Sequence, residues 1–474
     1  MSERYKLMAH QTYALSMLEA NEGLICAYDL GCGKSAIALH FILRRLKRGA
    51  AKDALVICPA SLVASWGQAI DEMINFEGVT EADVRLLRER VTVRSFQKTY
   101  KTTRVAIGRN GGNVTYRRNI ELRPDVDKFW SVLVVDEAHQ CSSHSAIQTK
   151  AAITLAKLSQ RVVSLTATPL HGGKGRPDYS KAFGEIQVVT RGQAFKNWTE
   201  FSNKAVKAVD KWYKPMEYHE DYCKTLMADH SIVCRIEDCI DMPDKVEQYI
   251  DCPLVEKTVY KDLRTGNVMK YNLDIKNAGG QYTKMLQVCS GSMKVNETST
   301  LKLKTSKDDA LADVLNGTEK PVVVFCTYRA SVDRAAGVAR KAGRTVVIYD
   351  GRSAKDAWKR FQSGECDCIV CQYQSGGAGL NLQNSSVMVL FEPCYSALLL
   401  AQAKGRIFRS GQHERCVYYY LVTPDTLERR VWNTVRSGQD VSEELMSEWG
   451  RMSLLEAPRW QYPRAEGTSS SGRT

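Results

Sequence analysis

Gly31, Gly33, Lys34 and Ser35 stand together in the stretch Asp29-Leu-Gly-Cys-Gly-Lys-Ser35, between an apolar run and a helical pattern. These residue types at this spacing suit a bound phosphate. The glycines let the main chain pass close to an anion with no Cβ in the way. Backbone N–H groups at a helix N-terminus favour the negative charge. A lysine so placed reaches the terminal phosphates of a nucleotide, and the neighbouring hydroxyl helps to hold Mg2+. The fuller phosphate-loop pattern has one more glycine, where Tyr28 stands here. Taken alone, the stretch also fits an ordinary glycine-rich turn before a helix.

Further along, a strongly apolar run ends in Asp136-Glu137. An acidic pair at a strand end is the expected partner of a Mg-nucleotide: Asp136 orients the ion and Glu137 orients or deprotonates the attacking water. In the C-terminal half, Arg406 and Arg409 fall three apart, on one helical face. Phosphoryl transfer needs positive charge on the transferring group, and arginines from a second domain supply it when the domains close. Cys366, Cys368 and Cys371 lack a fourth ligand at suitable spacing and fall on an expected buried strand, whose alternation points Cys368 and Cys371 apart. The eight histidines show no ligand spacing. No structural metal is expected, and His139 reads as a residue coupling nucleotide to the domain interface.

The elements that must position these groups follow from periodicity. Residues 4–20 read as a helix, and strands are expected at Leu24–Tyr28, from Ala54 to the stop at Pro59, and at Val91–Phe96, Trp130–Val135 and Val162–Leu165. Strand and helix alternate as in a parallel sheet with ligand sites at the strand C-termini. Residues 97–124 form a basic insertion, read as a solvated hairpin or as a surface for a phosphate backbone. Residues 170–305 read as helix-rich. The alternation resumes with strands at Val322–Cys326, Val346–Tyr349, Cys368–Cys371 and Val387–Phe391, in a second parallel-sheet domain. The fold class expected is therefore α/β, with two parallel-sheet lobes and a helical segment between them. The divisions are 1–235 for the first lobe with its helical extension, 236–305 for a helical linker, 306–440 for the second lobe and 441–474 for a partly disordered tail.

The 474 residues carry a net charge of +13, which points to a polyanionic partner, nucleic acid before an anionic membrane. The 15 cysteines lie mostly in apolar runs and read as free thiols in a reducing compartment. No apolar run is long enough to span a bilayer, and the N-terminus has no signal core, so no membrane partner is expected. An intracellular, cytoplasmic protein of a bacterium or a phage-infected host is expected.

Together these stretches resemble the superfamily two helicases, and among them the Swi/Snf family of DNA-translocating ATPases, from about Tyr5 to Val435. Asp29 to Ser35 is similar to that family's phosphate loop, and Gln11 stands where the family reads adenine. Pro59, Ser61 and Trp66, then Ser95-Phe96, resemble motifs that touch the nucleic-acid backbone. Asp136 to His139 is similar to the DEAH box, and Leu165 to Pro169, with Thr166 and Thr168, to the coupling motif. Cys234-Arg235 through Lys245 resembles the stretch that leaves the first lobe. Gly376-Gly377-Ala-Gly379-Leu-Asn381-Leu382 resembles the GGxGxNL motif, and Gln402, Arg406, Arg409, Gly411 and Gln412 fall on QxxxRxxRxGQ.

The resemblance implies two RecA-like lobes with ATP and Mg2+ in the cleft. Lys34, Ser35 and Asp136 would hold phosphate and metal, with Gly379 also at the nucleotide. Glu137, Arg406, Arg409 and Gln402 would act in catalysis, and His139, Thr166 and Thr168 in coupling. Nucleic-acid contacts are assigned to Pro59, Ser61, Trp66, Ser95, Thr327, Tyr328, Gly376 and Gly377. The activity implied is ATP hydrolysis driving translocation on duplex DNA, in replication, recombination or repair. The alternatives are a strand-separating helicase on DNA or RNA and a non-hydrolysing ATP-gated clamp.

Overall fold

Six short apolar runs build the first of two parallel sheets in the computed structural model. They are β1 (Gly23–Tyr28), β2 (Ala54–Cys58), β3 (Val91–Ser95), β4 (Trp130–Asp136), β5 (Ser159–Thr166) and β6 (Ser231–Cys234). Their order is β6-β1-β5-β4-β2-β3, and every pair is parallel. The structure describes residues 4–110, 113–170, 177–210, 215–273, 278–296, 298–354, 356–376 and 380–441.

Parallel strands joined by helical crossovers are buried on both faces, and the side chains here divide accordingly. Cys26, Tyr28, Val132 and Val134 enter one core, while Ile25, Ala27, Leu133 and Val135 enter another. The order places β5 between β1 and β4, with Ala27 opposite Thr166 and Asp136 opposite Leu165. Three strand ends bearing chemistry therefore emerge side by side at one edge. Helix α1 (Ala9–Ala20) precedes β1, α2 (Lys34–Lys47) follows it, and α3 (Val63–Glu72) follows β2.

The second sheet contains β7 (Lys245–Asp251), β8 (Val322–Cys326), β9 (Val346–Tyr349), β10 (Cys368–Gln372), β11 (Val387–Leu390) and β12 (Cys416–Val422). Its order is β7-β12-β11-β8-β10-β9, again all parallel. The two-lobe α/β class is as expected from the alternation.

The segment between the lobes differs from expectation. Residues 236–305 are not a helical linker throughout, because β7 pairs with β12 along its whole length and is the outer strand of the second sheet. Its sequence, Lys-Val-Glu-Gln-Tyr-Ile-Asp, has no continuous apolar run, since only one neighbour and one face are covered. Within 170–305, Ser231–Cys234 completes the first sheet and Val206–Val209 pairs with Pro215–Tyr218 as a hairpin. Helices Lys257–Arg264 and Ala278–Cys289 do form in this region, over a small core with Tyr260, Leu263, Met285 and Val288. The basic insertion is a long antiparallel hairpin, Tyr100–Asn110 with Asn113–Leu122. The tail from 442 onward lies outside the described residues. Among the described residues no helix is long and apolar enough to cross a membrane.

The second lobe is built around a buried ion pair. Lys307 is 0% and Glu428 1% exposed. The Lys307 ammonium donates to the Glu428 carboxylate and to the Phe391 carbonyl, while Glu428 also accepts from the Thr423 N–H at 3.1 Å. Removing one member of such a pair strands a charge in the interior. Lys307→Ala is expected to destabilise the second lobe by about 3–5 kcal/mol in urea unfolding. The double change Lys307→Met with Glu428→Leu, which removes both charges, recovers most of that loss.

Candidate active site

Gly31 and Gly33 both adopt positive φ, +90° and +77°, a region glycine enters without strain. This bends the chain from β1 into α2, with Gly33 as the residue before the first helical turn. Lys34 and Ser35 consequently open α2 at the C-terminal edge of the sheet. The Lys34 Nζ donates to the Tyr28 carbonyl at 2.6 Å and the Asp29 carbonyl at 3.0 Å, folded back over its own loop. Asp29 is tied to the exit of the first lobe: its N–H donates to the Cys234 carbonyl, and its carboxylate accepts from the Ile236 N–H at 3.1 Å. Gln11 braces the loop. Its carboxamide accepts from the Met8 N–H at 3.0 Å and donates to the Cys32 carbonyl at 3.4 Å.

At the end of β4, Asp136 is 7% exposed and accepts a hydrogen bond from Trp66 Nε1 at 2.8 Å. Burial, together with the neighbouring Glu137 charge, pushes its carboxyl up to about 7, against the pull of the Trp66 bond and the Lys34 ammonium. Glu137 itself has φ +53°, a left-handed backbone that a non-glycine residue adopts at a cost. It leaves the strand sharply and lies 3.3 Å from His139 Nδ1. His139 Nδ1 in turn is 3.5 Å from the Thr166 hydroxyl, which accepts from the Thr168 N–H at 3.1 Å. The acidic pair is thus linked through His139 to the end of β5.

Arg406 and Arg409, from the second lobe, face the same cleft. They line a cavity of about 620 Å3 with Lys34, Ser35, Asp136, Glu137, Trp66 and Asn381. Contact between the lobes is close: a Cβ on Gly31 would lie 2.9 Å from the Arg409 Cβ, and one on Gly405 2.8 Å from Leu30 Cδ1. Both guanidinium groups reach the Leu380 carbonyl. Burial and the Arg409 charge lower Arg406 to about 10, with Glu137 opposing, so it stays cationic at neutral pH. Burial likewise lowers Arg409, with Glu72 opposing. Glu72, Gln362 and Gln383 also line the cleft. No sequence pattern singled them out: Glu72 comes from the end of α3, and Gln362 and Gln383 are brought there by the closed arrangement of the lobes.

Other predicted residues are placed differently. Trp66, expected at the nucleic-acid surface, is 2% exposed and spends its N–H on Asp136. Ser95 is buried at the end of β3. Gly376 is a packing residue, since a Cβ there would lie 2.8 Å from both Cys371 Cβ and the Phe325 ring. The Thr327 hydroxyl donates to the Pro393 carbonyl, and the Tyr328 hydroxyl lies 2.6 Å from that of Tyr395. Gln402 lies one turn before Arg406, outside the lining of the cleft. Pro59 is half-buried and Ser61 exposed beside α3. Gly377 and Gly379 lie outside the described residues. No sequence spacing linked a histidine to other ligand types, yet the fold brings His10 beside Cys234 and Cys239.

The SNF2-related domain matches residues 10–306 of this chain, and the helicase conserved C-terminal domain matches residues 306–411. The chain belongs to the SNF2-related family. Membership in this family implies use of a nucleotide. The chain is 21% identical to the DNA repair and recombination protein RDH54 of Saccharomyces cerevisiae, over 90% of its own length and 51% of that protein. It is 22% identical to the DNA repair protein rhp54 of Schizosaccharomyces pombe, over 90% of this chain and 56% of that one. It is 21% identical to a Bacillus subtilis protein named as an uncharacterized ATP-dependent helicase, YqhH, over 90% and 77%. The chain thus spans about half the length of the yeast relatives it matches. A solved Sulfolobus solfataricus SWI2/SNF2 ATPase core in complex with dsDNA aligns over 96% of both chains at 18% identity, with a TM-score of 0.41.

Gly31→Ala forces a Cβ against Arg409 in a backbone region unfavourable to alanine. It is expected to weaken binding of a fluorescent ATP analogue at least tenfold, while Gly337→Ala, in the second-lobe helix Arg329–Lys341 where a Cβ meets open space, leaves it within about twofold.

Proposed function

We propose that this chain is a nucleic-acid-stimulated ATPase that translocates on duplex DNA. The observation that supports this most is the single cleft in which Lys34 from one lobe and Arg406 and Arg409 from the other surround the Asp136–Glu137 pair. Lys34 folds back on its loop carbonyls and exchanges those bonds for phosphate oxygens. Ser35 and Asp136 offer the oxygen ligands that suit a hard cation. Mg2+, when bound there, neutralises charge on the nucleotide phosphates. Glu137 orients the attacking water and accepts its proton. Arg406 and Arg409 hold the charge that builds on the transferring phosphoryl group, and they reach it only with the lobes closed. Hydrolysis removes that shared anion, so the lobes separate, and alternate closure and release move the chain along its track.

Duplex DNA is the favoured track. The family assignment, the yeast relatives named for DNA repair and the net charge of +13 all point that way. Contacts to the phosphate backbone, not to bases, dominate such binding, which weakens steeply with salt. The second reading is strand separation, favoured by the long hairpin of residues 100–122 and by the helicase named among the relatives.

ATP turnover measured with duplex DNA, single-stranded DNA and RNA tests the proposal. Duplex stimulation is expected, with Lys34→Ala inactive. A rate indifferent to all three polymers overturns it. Triplex displacement without fork unwinding identifies a translocase, and the reverse result identifies a helicase. Arg406→Ala is expected to lower kcat by about a thousandfold or more, with nucleotide binding far less affected.

The acidity of Asp136 yields a separate expectation. Metal ligation requires the carboxylate, so protons compete with Mg2+ below the group's pKa of about 7. Mg2+-dependent nucleotide binding is expected to fall by up to about tenfold per pH unit below 7 and to level off above it. Trp66→Phe removes a stabilising donor from the charged form and is expected to move that midpoint upward by about one unit.

A further inference from the structure

Three residues distant in sequence converge behind the phosphate loop. His10 lies in the first turn of α1, Cys234 ends β6, and Cys239 closes the short helix Ile236–Cys239. One ligand atom from each lies within 4.8 Å of the other two. The thiol of Cys32, in the phosphate loop itself, neighbours that of Cys234 but lies outside this mutually close group. The imidazole is held by an approach of Nε2 to the Cys32 carbonyl at 3.1 Å, and the Tyr28 hydroxyl donates to the His10 carbonyl.

We propose that His10, Cys234 and Cys239, with Cys32 as the fourth ligand, form a site for a thiophilic divalent cation, Zn2+ first. Three thiolates and an imidazole are a closed tetrahedral set of the kind that holds structural zinc. Cys234 and Cys239 have four residues between them, within the spacing of paired zinc ligands. A Zn–S bond of about 2.3 Å requires sulfurs about 3.8 Å apart, so the three grouped ligand atoms draw in from within 4.8 Å and the Cys32 thiol swings in beside Cys234 as the ion binds. Soft sulfur ligands select against Mg2+, which keeps this site chemically separate from the nucleotide cleft. His10 and Cys239 are partly exposed and give an ion a path from solvent. The other twelve cysteines are all buried and behave as core residues.

The location gives the ion something to do. His10 adjoins Gln11, which braces the loop. Cys32 lies two residues before Lys34. Cys234 and Ile236 hold Asp29, at the start of the loop, through main-chain bonds. An ion here cross-links α1, the phosphate loop and the exit of the first lobe, and so fixes the loop before nucleotide arrives. Binding of the ion does not depend on the motor activity proposed above, so the two fail separately.

The test uses the full chain without nucleotide, reduced and exposed to Zn2+ alone, followed by release of bound metal with a thiol-blocking reagent and a colorimetric chelator. One Zn2+ per chain is expected, falling at least tenfold in occupancy in Cys239→Ser and in His10→Gln, with Cys223→Ser unchanged as a control. His10→Gln lies at a half-exposed helix start and provides the readout if a cysteine variant fails to fold. The Co2+-loaded protein should show a thiolate-to-cobalt charge-transfer band and the visible bands of a tetrahedral ion, with a weaker charge-transfer band in Cys32→Ser. Absence of bound Zn2+ overturns the proposal, as does metal retained in both ligand variants. So does a cobalt spectrum lacking thiolate character, or a Cys234 disulfide that forms readily in air in the presence of Zn2+.

Discussion

Two carboxylates adjacent in sequence, Asp136 and Glu137, are held in a cleft that excludes most of the water that would otherwise solvate them. Such an arrangement is costly unless cations are brought to it. The first lobe contributes Lys34 and the Trp66 N–H, and the second contributes Arg406 and Arg409. Each lobe alone leaves a charge imbalance: an acidic pair with one lysine on one side, two neighbouring guanidinium groups on the other. Closure of the lobes brings the opposite charges into one low-dielectric space, where their attraction is strongest.

Everything around the cleft serves that apposition. The strand order puts β1, β5 and β4 side by side, so the phosphate loop, the Thr166 end and the acidic pair share an edge. Gly31 and Gly405 are small because the opposite lobe passes within about 3 Å of where a Cβ would be. Glu137 accepts a left-handed backbone, which turns its side chain off the strand toward His139. In the second lobe the Lys307–Glu428 pair joins the helix entering the lobe to the helix that follows β12, and so fixes the sheet from which the arginine segment projects.

The motor residues and the proposed cation site meet at the phosphate loop but use different chemistry. The cleft presents oxygen and nitrogen groups suited to phosphate and a hard ion. The other side of the loop presents sulfur and imidazole. A loop of alternating glycines is intrinsically mobile in conformation, and both of its sides are braced: Gln11 and Asp29 by hydrogen bonds, Cys32 by its thiol neighbours.

The sequence by itself determined most of the sheet strands, the two-lobe class, and the phosphate-loop, acidic and arginine motifs. Those features are local: a run of Val and Ile, a Gly-Lys-Ser turn or a pair of closely spaced arginines is legible wherever it lies, although the expected helical face for Arg406 and Arg409 does not form, the helix ending at Lys404. The sequence did not reveal β6, β7 or β12. β6 is only four residues long, β7 mixes polar and apolar residues, and β12, although it lies between β7 and β11, carries three tyrosines in its run. Nor did it separate Trp66, Ser95 and Gly376 from residues at the nucleic-acid surface, because a motif fixes a residue's neighbours in the chain and not the direction of its side chain. Tertiary structure alone decided that Trp66 turns inward to Asp136, that Arg406 and Lys34 line one cleft across more than 370 positions of chain, and that His10 meets Cys234. Such meetings depend on how whole sheets and helices stack, which no local spacing encodes.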